Sequence, residues 1–192
     1  MVKVQKVRLA EVKDTIRDGD VLMFRHGPSL YQKAIAAAGR SDYSHAAMAA
    51  WWGDELMVLE VTDGHGGRAV TLESQVKRFP GRYDVFRTNP SKRERYNRRG
   101  AVKYMRSLAG VEYGRKNLLR VALLHLPFVR WFSKPVTNDE ENGSTPFCSQ
   151  AVSAALRIGG GVDPVLLLAD KSTEPGDLAR SPFLEYVCTL EG

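Results

Sequence analysis

The residues best suited to chemistry in this sequence are one cysteine and one histidine that lie far apart in the chain. Cys148 precedes the run 151–158, in which alanines and apolar residues at a 3.6-residue period predict a helix. A cysteine in the first helical turn lies beside unpaired N–H groups and the positive end of the helix dipole, which favour a nucleophilic thiolate. The alternative is that Cys148 is a small buried hydrophobic residue. The helix alone leaves both interpretations open.

A nucleophilic thiolate needs an imidazole partner, and His45 opens a strand-like run, 45–52, that can supply it. Gly53 and Asp54 separate this run from a second apolar run, 56–61, and the pair predicts a β-hairpin. The alanines of the first run leave a helix as its alternative. Alternate residues of a strand share a face and cross-strand neighbours are about 5 Å apart, so His45 and Glu60 can meet. Glu60 would then fix the tautomer of the imidazole.

Other polar residues compete for these two roles. The alternatives to His45 are the remaining histidines, His26, His65 and His125. We interpret each as a surface or packing residue, although His65, in the glycine-rich loop 62–67, could reach a cleft if that loop folds over it. Asp63 is the alternative to Glu60, and Glu60 is preferred because a strand fixes its orientation.

The elements that must position these residues indicate one α+β domain over residues 1–192. A chain of 192 residues with 43% hydrophobic and 26% charged residues is typical of a single globular unit. Around the hairpin and the cysteine helix, the sequence predicts strands at 21–24, 69–72, 83–87 and 184–190 and helices at 30–38, 73–79 and 91–109, the last of them capped by Ser91 and Glu94. We therefore expect a small antiparallel sheet packed against helices.

The stretch from Lys116 to Phe132 is a further helical segment, interrupted at Pro127. Its apolar core, 118–126, is about half the ~20 residues that a membrane span needs. We interpret it as a packing helix or a flap over a cleft, and an interfacial membrane helix is the alternative.

The net charge of +6 is concentrated in the segment 87–120. Such a segment can bind an anionic surface, and a solvated helix face is the alternative. No motif for nucleic-acid recognition accompanies it, so specific nucleic-acid binding is not expected. Two cysteines without zinc-ligand spacing or a secretory signal lead us to expect a cytoplasmic protein with no metal or other cofactor. The oligomeric state is left open.

Six short motifs together give a family resemblance. They are Gly19-Asp20-Val21-Leu22, Tyr43-Ser44-His45-Ala46-Ala47-Met48, Val58-Leu59-Glu60-Val61, Tyr113-Gly114, Phe147-Cys148-Ser149-Gln150 and Glu174-Pro175-Gly176-Asp177-Leu178. In order and spacing they resemble the permuted papain-like amidases of the YaeF/YiiX type, in the NlpC superfamily. The chain departs from that pattern where Ser149-Gln150 replaces the common Ser-Glu, and the segment 116–145 looks like a local elaboration.

The resemblance implies a circularly permuted papain-like fold and a cysteine hydrolase of peptide, amide or acyl substrates. It implies Cys148 as nucleophile, His45 as general base and acid, and Glu60 as the residue that orients the histidine. Two residues are candidates for substrate binding: Tyr113, otherwise a packing tyrosine, and Asp20, otherwise a turn residue that binds its own backbone. Acyl transfer from the same thioester, and a non-catalytic module that binds anionic polymers, are the alternative functions.

Overall fold

The computed structural model describes residues 5–89, 91, 95–112, 146–166 and 168–192. The strands are β1 (Lys6–Arg8), β2 (Val21–Arg25), β3 (Tyr43–Trp52), β4 (Glu55–Thr62), β5 (Gly66–Thr71), β6 (Tyr83–Thr88) and β7 (Leu184–Glu191). The helices are α1 (Leu9–Val12), α2 (Leu30–Ala38), α3 (Leu72–Arg78), α4 (Arg98–Ser107), α5 (Cys148–Ala154) and α6 (Pro175–Ala179). A π-helical segment (Ala155–Gly159) continues α5, and short 3-10 turns lie at Lys13–Thr15 and Asp170–Ser172.

The described strands form one seven-stranded sheet in the order β1-β7-β6-β2-β3-β4-β5. β1 pairs with β7 in parallel and all other neighbours are antiparallel. The α+β class is therefore confirmed, but the expectation of a small antiparallel sheet is corrected to a larger, mixed one. β1 was not predicted because its three residues become a strand only by pairing with the distant end of the chain.

The hairpin predicted from the sequence is present as β3 and β4. Trp52 pairs with Glu55 across a turn in which Gly53 has a φ of 59°, a left-handed conformation that glycine adopts without a Cβ clash. β5 then pairs with β4 and begins at Gly66, so the end of the predicted glycine-rich loop belongs to the sheet. The hairpin gives His45 and Glu60 a fixed register.

The sheet is buried on both faces. On one face, Met23 and Met48 pack against Ala151 and Leu156, which lie on α5 and its π-helical continuation. On the other face, residues of β2, β3 and β4 such as Ala47 pack against α3. Every residue of α5 is buried, so the cysteine helix is part of the core.

The helix predicted over 91–109 is wrong at its start, since α4 begins at Arg98. Asn97 caps it by accepting a hydrogen bond from the N–H of Gly100 at 3.0 Å. Just before the cap, the Tyr96 hydroxyl donates to the carbonyl of Gly19 at 2.9 Å. This tertiary contact holds Tyr96 outside the helix, and α4 therefore begins later than predicted.

No helix among the described residues is long and apolar enough to cross a membrane. The apolar segment predicted at 116–132 lies outside the described residues, and so does Tyr113.

Candidate active site

Cys148 is the first residue of α5, as the sequence predicted. Two serines of the helix fix its position. Ser149 Oγ donates to the carbonyl of Thr173 at 2.8 Å, and Ser153 Oγ donates to Oδ1 of Asp170 at 2.6 Å. Because both hydroxyls are buried, these bonds hold the start of α5 rigidly against the segment 169–174.

The sulfur of Cys148 is in hydrogen-bonding contact with the His45 side chain and with the backbone N–H groups of Ala46 and Ser149. Only 3% of Cys148 is exposed. Burial by itself raises the pKa of the thiol, but the positive imidazolium and these three donors outweigh it and lower the pKa. The site therefore favours a thiolate.

His45 lies on β3 and contacts both Glu60 and Cys148. Its Nε2 atom is 2.7 Å from Oε2 of Glu60, so the Nδ1 atom remains for the sulfur. Burial lowers the pKa of His45, but the charge of the Cys148 thiolate and the hydrogen bonds to Cys148 and Glu60 raise it to about 10. The imidazole is accordingly protonated when the thiolate is present.

Arg68 holds the other oxygen of the Glu60 carboxylate. Glu60 and Arg68 are paired across β4 and β5, and the guanidinium binds Oε1 through Nε at 2.8 Å and through a terminal nitrogen at 2.7 Å. Burial raises the pKa of Glu60, but His45 and Arg68 lower it to about 2. Glu60 is thus ionised at neutral pH although only 4% of it is exposed.

Sequence reasoning missed Arg68. It lies between the predicted loop 62–67 and the predicted strand 69–72, where an isolated charged residue carries no motif. The relevant signal is its register: once 66–71 is folded back on β4, Arg68 lies directly opposite Glu60.

A cavity of about 430 Å³ opens beside this site, and His45, Glu60 and Arg68 line it. Asp63 and His65 line the same cavity, from the turn between β4 and β5. His45 and Glu60 are therefore brought together, as expected from the hairpin, and two of the alternatives named from the sequence line the same cavity.

Two buried side-chain oxygens next to these residues lack a hydrogen-bond partner in the part of the chain that the structure describes. They are Oγ of Ser44, which precedes His45, and Oε1 of Gln150, two residues after Cys148. Buried polar atoms are nearly always paired in folded proteins, so these two oxygens are exceptions.

The surroundings of Asp20, predicted to bind substrate or to lie in a turn, favour a structural role. The carboxylate is fully buried and binds Arg87 and Arg98, with nitrogen–oxygen distances of 2.6 and 2.9 Å. It also accepts a hydrogen bond from the backbone N–H of Arg17 at 3.0 Å. Its backbone carbonyl binds Ala49, four residues along β3 from His45 and hence about 13 Å away. These contacts are typical of a residue that stabilises the fold, and substrate binding by Asp20 stays a prediction.

The same contacts bear on the basic segment 87–120. Arg87 and Arg98 point inward to Asp20, and Arg106 stacks over the ring of Trp52 at 5.4 Å. Exposed cations in the described part of the segment include Arg95, Arg99 and Lys103. Binding of an anionic surface by this segment stays a prediction.

A protein-family model described as "permuted papain-like amidase enzyme, YaeF/YiiX, C92 family" matches residues 15–119, more than half of the chain. The chain belongs to this family. The matched range contains His45 and Glu60, whereas Cys148 lies outside it. No curated protein matches the chain.

The fold is similar to the crystal structure of metalloprotein yiiX from Escherichia coli O157:H7. The TM-score is 0.60 at 16% sequence identity, over 91% of this chain and 97% of that one. Among the residues described here, no group of three or more His, Cys, Asp or Glu side chains is placed to hold a metal ion.

Proposed function

We propose that Cys148, His45 and Glu60 form the catalytic site of a cysteine hydrolase that cleaves amide or ester bonds through a thioester. The observation that carries the proposal is the continuous contact from Glu60 through His45 to the sulfur, with the thiolate and the imidazolium as the favoured forms. Family membership supports the same class of chemistry.

In the first half of the reaction, the Cys148 thiolate attacks the substrate carbonyl carbon and forms a tetrahedral intermediate. The backbone N–H of Cys148, at the first helical position, has no carbonyl partner within the helix and is suited to bind the oxyanion. The His45 imidazolium then donates its Nδ1 proton to the leaving amine or alcohol as the carbon–heteroatom bond breaks. The acyl group remains on the sulfur as a thioester.

In the second half, neutral His45 removes a proton from a water molecule that attacks the thioester carbonyl. Collapse of the second tetrahedral intermediate breaks the carbon–sulfur bond, releases the acid and restores the thiolate and imidazolium. Throughout, Glu60 holds Nε2 protonated and the ring in one orientation. Arg68 keeps Glu60 ionised.

We further propose that the site follows the permuted papain arrangement of the NlpC superfamily within one domain spanning 1–192. The order along the chain supports this, since the strand with His45 precedes the helix with Cys148.

Peptide mass spectrometry tests the proposal. The protein is exposed to a panel of activated esters and amides, quenched with acid and digested, and we expect an acyl adduct on Cys148. Cys148→Ala should give neither adduct nor turnover. Adducts confined to other residues, or full turnover by Cys148→Ala, would refute it. If an added amine or alcohol discharges the thioester faster than water does, the activity is acyl transfer by the same site.

A further inference from the structure

The cavity beside His45 has an apolar side that the proposed chemistry does not use. Phe24 forms edge-to-face contacts with Phe79 and Tyr83, with ring centroids 5.3 and 5.1 Å apart. Tyr31 and Ile35 of α2 also line the cavity. Such a concave, largely apolar wall is suited to bury an apolar group of a ligand.

Arg78 brings a positive charge to this wall. It is the last residue of α3, it lines the cavity, and its guanidinium lies over the Phe79 ring at 5.1 Å from the centroid. Stacking on the ring restricts the side chain and leaves the N–H edge of the guanidinium available. Within the described part of the chain, Arg78 has no carboxylate partner.

The carboxylate of the proposed catalytic site has partners other than Arg78. Glu60 is already bound by His45 and Arg68. Three charged side chains, those of Glu60, Arg68 and Arg78, act on the Tyr83 hydroxyl. Burial raises the pKa of its hydroxyl, Glu60 raises it further, and Arg68 and Arg78 oppose that rise.

Gln75 adds a second donor next to Arg78. It lies one helical turn earlier on α3, is buried, and lines the same cavity. Its Oε1 atom accepts a hydrogen bond from the Tyr83 hydroxyl at 3.4 Å, so the carboxamide NH₂ is left to donate. A guanidinium edge and an amide NH₂ on one helix face match the two oxygens of a carboxylate.

We propose that Arg78 and Gln75 form a carboxylate subsite, so that the preferred substrates are amides or esters that carry a carboxylate together with an apolar group. The inference rests on the hydrolase proposed above, since the subsite shares its cavity with His45. Arg78 is then a specificity-determining residue that takes no part in the bond-breaking steps.

Matched substrates test the subsite. In the first pair, the acyl half is charged: the glutaric acid monoamide of 7-amino-4-methylcoumarin is compared with its methyl ester. In the second pair, the amine half is charged: N-benzoylglycine is compared with its amide, and amine release is measured. Whichever pair shows the charge preference identifies the half of the substrate that enters the cavity.

For the preferred pair, Arg78→Gln should raise KM of the charged member about 10- to 100-fold, the usual range for losing a charge-assisted hydrogen bond, and leave the neutral member within about twofold. Arg78→Lys should give an intermediate loss, because lysine keeps the positive charge but lacks the planar pair of N–H donors of the guanidinium. Lys77→Gln is the matched control. It removes a neighbouring exposed cation that is paired with Glu73 at 2.7 Å, and it should alter neither member.

The subsite would be overturned if Arg78→Gln affected the charged and neutral members of both pairs equally, or affected none of them. Turnover that still depends on Cys148 would leave the proposed hydrolase intact in that case. If none of these amides is turned over, calorimetry on Cys148→Ser decides. Cys148→Ser should bind the charged member more tightly than the neutral one, and the double variant Cys148→Ser/Arg78→Gln should lose this difference. Equal or undetectable binding of both members by Cys148→Ser overturns the subsite. Turnover that survives in Cys148→Ala would instead refute the proposed catalytic site.

Discussion

The Nε2 atom of His45 and the Oε2 atom of Glu60 lie 2.7 Å apart although the two residues are diagonal neighbours in the hairpin. Met48 pairs with Leu59, and continuing that register places Glu60 opposite Ala47, two residues from His45. Diagonal neighbours are about 7–8 Å apart at their backbones, so only long side chains meet across them. The length of the glutamate is therefore part of the site.

Glu60→Gln and Glu60→Asp should both lower kcat, by about 10- to 100-fold, the range typical of groups that orient a catalytic ligand. Glutamine keeps the length and one acceptor but loses the charge, whereas aspartate keeps the charge but is one methylene too short. Cys148 should still be acylated in both variants. Steady-state kinetics with a substrate whose turnover depends on Cys148 measures the loss of kcat.

Asp63→Asn is the matched control, since Asp63 lines the same cavity. It should change kcat by less than either variant at position 60. An inactive Asp63→Asn beside an unaltered Glu60→Gln would show that Asp63 is the orienting residue.

Arg68→Gln should shift the pH dependence of the site. Without the guanidinium, the Glu60 carboxylate loses a partner that lowers its pKa, so Glu60 becomes protonated at higher pH and holds the imidazolium less well. The acid limb of kcat/KM should move upward in pH, and Arg68→Lys should move it less. A purely structural role would reduce thermal stability but leave the limb in place.

The two cysteines provide an internal comparison, because 3% of Cys148 and 5% of Cys188 are exposed. Burial raises the pKa of Cys188 to about 11, whereas the surroundings of Cys148 lower its pKa. Timed iodoacetamide labelling near pH 7 should therefore modify Cys148 first, by a factor that reflects thiolate content. In His45→Ala this advantage should shrink. Faster labelling of Cys188 in the parent protein would contradict the ion pair.

The hairpin and the start of α5 were predictable because their determinants are local. A Gly-Asp turn between two apolar runs specifies β3 and β4, and an alanine-rich run after a polar loop specifies the helix of Cys148. The start of α4 and the strand β1 depend instead on contacts with distant residues, such as Tyr96 with Gly19. Local patterns carry no information about these contacts, and the same holds for Arg68, whose role appears only when β5 is in register.

Asp20→Asn should destabilise the fold without altering the chemistry. The substitution leaves Arg87 and Arg98 without their shared carboxylate, and breaking a buried ion pair costs about 3 kcal/mol or more. We expect a lower denaturant midpoint, with KM and kcat of the folded fraction close to the parent values. A selective rise in KM in a protein of normal stability would support Asp20 as a substrate-binding residue.

The pH range over which the ion pair persists gives the last prediction. His45 has a pKa of about 10 and the pKa of Cys148 is lowered, so thiolate and imidazolium coexist across neutral pH. Because the pKa of His45 is higher in the folded than in the unfolded protein, its protonation stabilises the fold. The contribution is complete at pH values below the unfolded pKa of about 6.5 and is lost as pH rises through about 10. Because the thiolate persists across neutral pH, the alkylation rate of Cys148 should be nearly constant there. It should fall only as the thiolate is protonated in acid.

His45→Ala removes both the charge that lowers the thiol pKa and the acid that protonates the leaving group. Alkylation of Cys148 should then rise with pH as for an ordinary or buried thiol, and amide hydrolysis should fall to background. Activated thioesters or nitrophenyl esters should retain more residual turnover than amides, because their leaving groups need no proton. An active His45→Ala, or one whose Cys148 keeps a flat alkylation profile, would remove His45 from the mechanism and with it the assignment of Glu60.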